Sequence, residues 1–254
     1  MRLVRVLVAS LVLAVAGCGS DVESGGSKPQ LTVSAAASLK QAFTDYGEQF
    51  PDATARFSFA GSDELAAQIE KGVKPDVYAA ANTKLPDDLH AKGLVEKPTI
   101  FAGNRLVLAV PAEGAKVGSL DDLKAKGVKL AIGASDVPVG SYTRTVLGKL
   151  PPEEREAILA NVRTEEPDVA GITGKLTQGA VDAGFLYASD VRGTDDKLKA
   201  IQLPDELQPT VAYGAAVVKG AKHPEEAKAF ISGLVDGTGA QALEDAGFLP
   251  PPGK

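Results

Sequence analysis

The alternation of strand-like and helix-like segments constrains the fold of this chain more than any other feature of its sequence. Runs of β-branched and aliphatic residues predict strands, and amphipathic segments between them predict helices. The predicted strands are 31–35, 54–59, 76–80, 105–110, 129–133, 184–187 and 211–218. The predicted helices are 38–49, 62–71, 83–92, 119–126, 140–150, 152–161, 169–178, 224–236 and 239–246. This alternation predicts an α/β fold in which helices cover largely parallel strands.

Length and charge limit the number of domains and the kinds of partner. The chain has 254 residues, which allows one large domain or two of roughly 100–120 residues, each with its own core. Its formal net charge is −6, and it contains no run of basic residues. A nucleic-acid partner is therefore not expected.

The first residues have the form of a bacterial export signal. Arg2 and Arg5 precede an apolar run at 6–16, which is shorter than the roughly 20 residues needed to span a bilayer. The following Gly17-Cys18 resembles the end of a lipoprotein signal, so 1–17 is predicted to be cleaved and Cys18 lipidated. The polar Gly/Ser-rich segment 18–29 then predicts a flexible tether to the cell membrane, on its extracytoplasmic face.

Cys18 is the only cysteine, so the folded body is expected to depend on its hydrophobic core rather than on disulfides. Two apolar strands, at 105–110 and 211–218, flank the middle third of the chain. This is the pattern of a domain inserted between two crossing strands. It predicts lobe I from 30–111 and 212–254, lobe II from 112–211, a two-strand hinge and a ligand cleft between the lobes.

Small residues and hydroxyl groups occupy two predicted strand-to-helix junctions. Ser38 follows three alanines and has Gln41 three residues later, which is the capping-box spacing. Ser62 follows Ala60-Gly61 at the next such junction. Both serines are predicted to be helix N-caps. A single serine N-cap is usually structural, but the small residues beside these two would let a ligand approach the backbone.

Two further junctions, 138–140 and 168–171, open predicted helices of the middle third. In open α/β sheets, ligands bind beyond the carboxyl ends of the strands, where such turns lie. Helix N-termini favour anions because their N–H groups are unpaired and the helix dipole is positive there. The residues alone therefore leave two alternatives open, structural caps or a site for a small anion.

Other chemistry has little support in the sequence. The only histidines, His90 and His223, have no histidine or cysteine nearby, so a zinc or copper site is not expected. No G-x-S-x-G, S-x-x-K or P-loop motif is present. The pairs Asp121-Asp122 and Asp195-Asp196 are interpreted as solvated turns or helix starts. The sequence thus predicts no enzyme and no resident cofactor.

Six motifs in a fixed order give the chain a specific resemblance over about 31–249. They are AAASL at 35–39, FAGSDELAAQIEKG at 59–72, PDVYAAA at 75–81, VPVGSY at 137–142, DV at 168–169 and GFLYASD at 184–190. In these motifs the chain resembles the molybdate-binding proteins of bacterial ABC uptake systems, which have the type II periplasmic-binding fold. The resemblance implies two lobes, each with a mostly parallel sheet flanked by helices.

The resemblance also implies a ligand set without charged side chains. The hydroxyls and backbone N–H groups of Ser38 and Ser62 would bind the oxyanion from lobe I. The backbone N–H groups of Val139 and Val169 would bind it from lobe II, where the Tyr187 hydroxyl completes the shell. Such a set of neutral donors rejects protonated phosphate, which needs an acceptor. Asp63, where the family often has serine or threonine, is expected to point away from the cleft.

The function implied is that of a monomeric, lipid-anchored solute-binding protein that captures molybdate, and also tungstate, for a membrane permease and ATPase. A receptor for sulfate or another tetrahedral oxyanion is the alternative on the same scaffold. A ligand-sensing domain of a transcription regulator is opposed by the export signal and by the lack of a basic helix-turn-helix segment. The deaminase that shares this fold needs a cysteine for its cofactor, and Cys18 is the only one.

Overall fold

The structure is a computed structural model that describes residues 28–253. The predicted signal peptide, the lipidation site at Cys18 and most of the tether lie outside the described residues. Within 28–253, no helix is both long enough and apolar enough to cross a membrane.

In the part of the chain that the structure describes, ten strands form two separate five-stranded sheets. In sheet 1 the strand order is β2-β1-β3-β10-β4, and β10 is the one strand that runs opposite to the others. In sheet 2 the order is β7-β6-β8-β5-β9, and β5 is the reversed strand. The strands of sheet 1 are β1 (Gln30–Ala36), β2 (Thr54–Ala60), β3 (Val77–Ala80), β4 (Thr99–Asn104) and β10 (Val211–Val217). Those of sheet 2 are β5 (Leu106–Pro111), β6 (Leu130–Gly133), β7 (Val162–Glu166), β8 (Ala183–Tyr187) and β9 (Leu198–Gln202).

Helices cover both sheets, which confirms the predicted two-lobe α/β fold with mostly parallel sheets. The helices are α1 (Lys40–Gln49), α2 (Ser62–Glu70), α3 (Lys84–Ala91), α4 (Pro138–Gly148), α5 (Pro152–Leu159), α6 (Val169–Thr177), α7 (Ala188–Arg192), α8 (Pro224–Asp236) and α9 (Thr238–Asp245). Short 3₁₀ turns occupy Ala37–Leu39 and Asp121–Lys124.

The predicted helix at 119–126 is wrong, because only the short 3₁₀ turn forms there. The Asp122 carboxylate accepts a hydrogen bond from the Gly118 N–H at 2.8 Å, and the Ser119 hydroxyl accepts one from the Asp122 N–H. Such local bonds offer the backbone an alternative to the helical pattern. Gly127, with φ of 91°, then turns the chain into β6.

Strand β5 lies in sheet 2, although the sequence analysis assigned 105–111 to lobe I. It pairs with β8 and β9, so the chain passes from one sheet to the other at Arg105. The return crossing is the segment 203–210 between β9 and β10. We therefore propose that lobe I comprises 30–104 and 211–253, and that lobe II comprises 105–210.

The core holds the carboxyl ends of the parallel strands in place. In lobe I, Phe43 of α1 packs against Phe101 and Phe230 with ring centroids 6.0 and 5.6 Å apart. In lobe II, the buried strands β6 and β8 are packed under α4 and α6. The ends of β1, β2 and β3 face the ends of β6, β7 and β8 across the gap between the sheets, because residues at all six ends line one cavity.

Candidate ligand-binding site

A cavity lies where these six strand ends meet. From sheet 1 it is lined by Ala36, Ala37, Ser38, Ala60, Gly61, Ser62 and Ala81. From sheet 2 it is lined by Val137, Pro138, Val139, Pro167, Asp168, Val169 and Tyr187. All five residues predicted to bind the ligand therefore line one cavity, although their roles in binding stay a prediction.

The cavity is small. The centre of a water-sized sphere can occupy about 20 Å³ of it. Treated as a sphere and enlarged by the roughly 1.4 Å radius of water, the space is about 3 Å in radius. That is room for one compact ion, such as a central atom with four oxygens.

Ser38 does not cap a helix, so this prediction is wrong. The chain leaves β1 through the 3₁₀ turn at Ala37–Leu39, which places Ser38 inside the turn and makes Leu39 the residue before α1. The Gln41 amide, expected to complete a capping box, donates instead to the Asp45 carboxylate at 2.9 and 3.0 Å. The Ser38 hydroxyl is 3.1 Å from that of Tyr213.

Ser62 is also not the N-cap of its helix, because α2 begins at Ser62 itself and Gly61 takes the capping position. The Ser62 side chain is buried, and its Oγ accepts a hydrogen bond from the Ala81 N–H at 3.1 Å. The backbone carbonyl of Ser62 accepts from the Tyr78 hydroxyl at 2.7 Å. With one acceptor position occupied, the hydroxyl hydrogen of Ser62 remains free to be donated into the cavity.

Three helices begin at the cavity. Ser62 opens α2, Val139 is the second residue of α4, and Val169 opens α6. The first four N–H groups of a helix have no acceptor within that helix. The N-terminal ends of α2, α4 and α6 therefore direct unpaired N–H groups and positive dipole ends at the same small space.

Tyr187, at the end of β8, contributes a buried hydroxyl. Its side chain is fully buried, and within 28–253 no atom is hydrogen-bonded to its Oη. Burial raises the pKa of Tyr187 well above its ordinary value, so the hydroxyl stays protonated and can act as a donor. A bound oxyanion would supply the acceptor that this hydroxyl lacks.

Asp63 does not point away from the cleft as expected. Its Oδ1 is buried without a hydrogen-bond partner among the described residues, and it lies beside Gly61. The pKa of Asp63 is raised, mainly by burial, and the negative charge of Asp136 on the facing lobe acts in the same direction. The carboxylate therefore lies near the seam between the lobes, although Asp63 is not among the residues that line the cavity.

Asp168 is a residue of the cavity wall that the sequence reasoning did not assign to the site. It is the N-cap of α6, and its Oδ1 accepts a hydrogen bond from the Gly171 N–H at 3.0 Å. The signal in the sequence that could have identified Asp168 as an N-cap is an aspartate three residues before a glycine at a predicted helix start. One of its two carboxylate oxygens is bonded in this cap, and no lysine, arginine or histidine lines the cavity.

The chain as a whole matches a known family. Residues 31–249 match the family described as bacterial extracellular solute-binding protein. This chain belongs to that family. Among relatives of this solute-binding protein, the molybdate-binding protein ModA of Mycobacterium tuberculosis is 34% identical over 257 residues, covering 96% of this chain and 95% of the relative. A more distant relative, the aconitate isomerase of a Pseudomonas species, is 25% identical over 191 residues, covering 73% of this chain and 71% of that enzyme.

Solved structures of solute-binding proteins share the fold. A substrate-binding domain of a putative molybdenum ABC transporter from Clostridium difficile is 27% identical, with a TM-score of 0.67, covering 88% of this chain and 99% of that one. The periplasmic molybdate-binding protein of Azotobacter vinelandii is 20% identical, with a TM-score of 0.78, covering 87% and 99%. The sulfate-binding protein SubI of M. tuberculosis is 17% identical, with a TM-score of 0.76, covering 87% of each chain.

Proposed function

We propose that this solute-binding protein captures molybdate, and also tungstate, in the cavity between its lobes and delivers it to an ABC importer. The observation that carries the proposal is the convergence of neutral donors on a space about 3 Å in radius. One of these donors, the Tyr187 hydroxyl, is fully buried and has no partner among the described residues. The relatives named for molybdate binding match nearly the whole chain.

The two lobes would share the ion. Ser38 and Ser62 would donate their hydroxyl hydrogens and backbone N–H groups from lobe I. Val139 and Val169 would donate backbone N–H groups at the starts of α4 and α6, and Tyr187 would donate its hydroxyl hydrogen from lobe II. Donors fixed by helices and strands stabilise a desolvated dianion because they need no reorganisation on binding.

The same donor set favours fully deprotonated oxyanions. Protonated phosphate must donate a hydrogen bond of its own, whereas the proposed ligand groups act as donors; the one carboxylate of the cavity wall, Asp168, accepts the Gly171 N–H at Oδ1, and its negative charge would repel any anion. A hydroxyl group of the ligand facing only donors would be left unsatisfied. Phosphate should therefore bind far more weakly than molybdate.

The transport role needs a place at the membrane. The signal peptide would be cleaved before Cys18, and a lipid on that cysteine would hold a monomer on the extracytoplasmic face through the tether at 18–29. A permease and an ATPase would be its partners, and no catalysis is required.

We expect Cys18→Ser to abolish incorporation of labelled fatty acid, while a soluble form that begins at Lys28 binds molybdate normally. Loss of binding in that soluble form would contradict the role of 18–29 as a tether.

The decisive experiment is calorimetric titration of the soluble form with molybdate, tungstate, sulfate and phosphate. We expect tight binding of molybdate and tungstate, weaker binding of sulfate and no measurable binding of phosphate. Sulfate bound more tightly than molybdate would favour a sulfate receptor instead. Conversion of cis-aconitate to its trans isomer by the same preparation would overturn the assignment as a non-catalytic protein.

A further inference from the structure

We propose that Tyr213 positions the Ser38 hydroxyl for ligand binding. In this arrangement Tyr213 donates its hydroxyl hydrogen to Ser38 Oγ, which leaves the hydrogen of Ser38 to be donated to the bound anion. The inference rests on the proposed function. It adds a residue that does not touch the ligand and acts only through Ser38.

The position of Tyr213 is fixed by the core around it. The residue lies on β10, is fully buried, and has its Oη 3.1 Å from Ser38 Oγ. Its ring packs edge-on against those of Phe101, Tyr187 and Phe248, with centroids 6.1, 5.8 and 5.2 Å away. These contacts hold the hydroxyl against the turn that carries Ser38, 175 residues away in the chain.

The surroundings of the two hydroxyls decide which of them donates. Either oxygen could donate at this distance. Two side chains lie within hydrogen-bonding reach of Tyr213 Oη, those of Ser38 and Asn104. The bond with Asn104 lowers the pKa of Tyr213, as a bond donated to the phenol oxygen does, so Ser38 Oγ is left to accept the Tyr213 hydrogen. Ser38 lines the cavity and has a second acceptor available when an anion binds. Both hydroxyls are satisfied only if Tyr213 donates to Ser38 and Ser38 donates to the anion.

Ser62 provides an independent parallel at the neighbouring strand end of lobe I. Its Oγ is 3.1 Å from the Ala81 nitrogen, and a backbone N–H can only donate. The direction of that bond is therefore fixed, and the Ser62 hydrogen is left for the ligand. In the proposed arrangement Tyr213 donates to Ser38 Oγ as the Ala81 N–H donates to Ser62 Oγ, and each serine keeps its own hydrogen for the ligand.

Burial supports this assignment of the proton. It raises the pKa of Tyr213 well above its ordinary value, and the negative charge of Asp190 acts in the same direction. The phenol therefore keeps its hydrogen throughout the physiological range. The Tyr213 hydroxyl is therefore available as a donor to Ser38 throughout that pH range.

The test is a double-mutant cycle on molybdate affinity, measured by calorimetry. Tyr213→Phe keeps the ring contacts and removes the donor, and we expect affinity to fall about three- to tenfold, the range for one neutral hydrogen bond. Ser38→Ala should weaken binding about ten- to a hundredfold, as for a bond to a charged group. The double variant should bind no more weakly than Ser38→Ala alone, because Tyr213 acts through Ser38.

Two controls separate positioning from general destabilisation. Tyr46→Phe removes another buried hydroxyl of lobe I, which donates to the Phe230 carbonyl at 3.1 Å away from the cavity. It should lower the melting temperature of the ligand-free protein and leave affinity unchanged. Tyr187→Phe combined with Ser38→Ala should multiply the two losses, since Tyr187 is proposed to contact the ligand directly.

The outcomes are distinguishable from those for the function itself. If the parent protein binds none of the tested oxyanions, the proposed function fails and this inference fails with it. If the parent binds molybdate and Tyr213→Phe binds it equally well, the inference alone is overturned. A further loss in the double variant beyond Ser38→Ala would also overturn it, because Tyr213 would then act by another route.

Discussion

Tyr187 buries a hydroxyl group to which no other atom of residues 28–253 is hydrogen-bonded. An unsatisfied polar group in the interior is unfavourable by about 1–3 kcal/mol. The rings of Tyr142 and Tyr213, with centroids 6.3 and 5.8 Å away, hold the side chain in this position. The protein thus holds a donor at the cavity that no atom of residues 28–253 satisfies.

The first prediction concerns this hydroxyl. Tyr187→Phe removes one hydrogen bond to a dianion and keeps the ring packing, so molybdate affinity should fall about ten- to a hundredfold. The melting temperature of the ligand-free protein should stay the same or rise, because no satisfied bond is lost. Calorimetry and thermal melts check both. Unchanged affinity would mean that the Tyr187 hydroxyl does not bind the ligand.

Asp190 is a second polar group beside the site, partly buried, with a different consequence. Its Oδ2 accepts a hydrogen bond from the Tyr187 N–H at 3.0 Å. Burial nevertheless raises its pKa to about 7, and the negative charge of Asp168 contributes in the same direction. The folded protein therefore holds a proton here up to about pH 7, whereas the unfolded chain releases it near pH 4.

This difference predicts how stability depends on pH. The folded state binds more protons than the unfolded state between about pH 4 and 7, so the contribution of Asp190 is lost as pH rises through that window, with a slope of up to about 1.4 kcal/mol per unit. Asp190→Asn keeps an acceptor for the Tyr187 N–H and removes the titration. Urea unfolding at pH 4.5 and 7 should show a smaller loss in the variant. Equal losses would mean that Asp190 ionises normally.

The sequence could predict which residues lie together at the cavity but not how they are bonded. Ser38, Ser62, Val139, Val169 and Tyr187 were placed by motifs that are local in the chain. The partners of the two serines are not local to them. The Tyr213 hydroxyl is 175 residues from Ser38, and the Ala81 N–H belongs to the strand end next to Ser62 in space. A capping pattern that uses four consecutive residues cannot anticipate either contact.

At the scale of elements, three strands were not predicted from the sequence, and all of them lie at sheet edges. They are β4 in sheet 1, and β7 and β9 in sheet 2. An edge strand is paired on one side only and tolerates charge, as in VRTEE of β7 and LKAIQ of β9. Six of the seven predicted strands, β1, β3, β5, β6, β8 and β10, are interior, and their apolar runs are dictated by burial on both faces. The remaining predicted strand, β2, lies at an edge of sheet 1.

The start of α6 gives the third prediction. Asp168→Ala removes the cap on the Gly171 N–H and should lower the free energy of unfolding by about 1 kcal/mol. Asp168→Asn retains the accepting oxygen, so its stability should match that of the parent. The asparagine variant also removes a negative charge beside the cavity and should bind molybdate more tightly. Denaturant titration and calorimetry check these effects, and equal destabilisation by both substitutions would show that the cap is unimportant.

At the scale of the whole molecule, the two lobes meet at Gly61. A side-chain carbon added there would lie 2.8 Å from the Pro167 carbonyl oxygen on the opposite lobe. The backbone of Gly61 has φ of −58° and ψ of 137°, which any residue adopts without strain. Glycine is therefore required at this position by the approach of the other lobe and by the Asp63 side chain, whose Oδ1 would lie 2.9 Å from the added carbon, and not by the conformation of its own backbone.

The fourth prediction follows from this contact. Gly61→Ala should hold the lobes apart by the width of a methyl group and weaken molybdate binding, while the ligand-free stability changes little. Small-angle X-ray scattering should show a smaller ligand-induced decrease in radius of gyration than in the parent. Gly174→Ala is the matched control, because a Cβ there meets nothing within 4 Å. Parent-like affinity in Gly61→Ala would mean that the lobes close without this contact.

The strand order of sheet 1 determines the order in which the two lobes can fold. Strand β4 pairs with β10 and with no other strand among the described residues, and β10 also separates β4 from β3. Every strand of sheet 2 comes from the continuous stretch 106–202, which lies between them. Lobe II can therefore assemble from neighbouring sequence, whereas lobe I must close a loop of about one hundred residues. We expect lobe II to fold first. Strand β4 would remain unpaired until the chain has returned to lobe I through 203–210 and β10 has joined sheet 1.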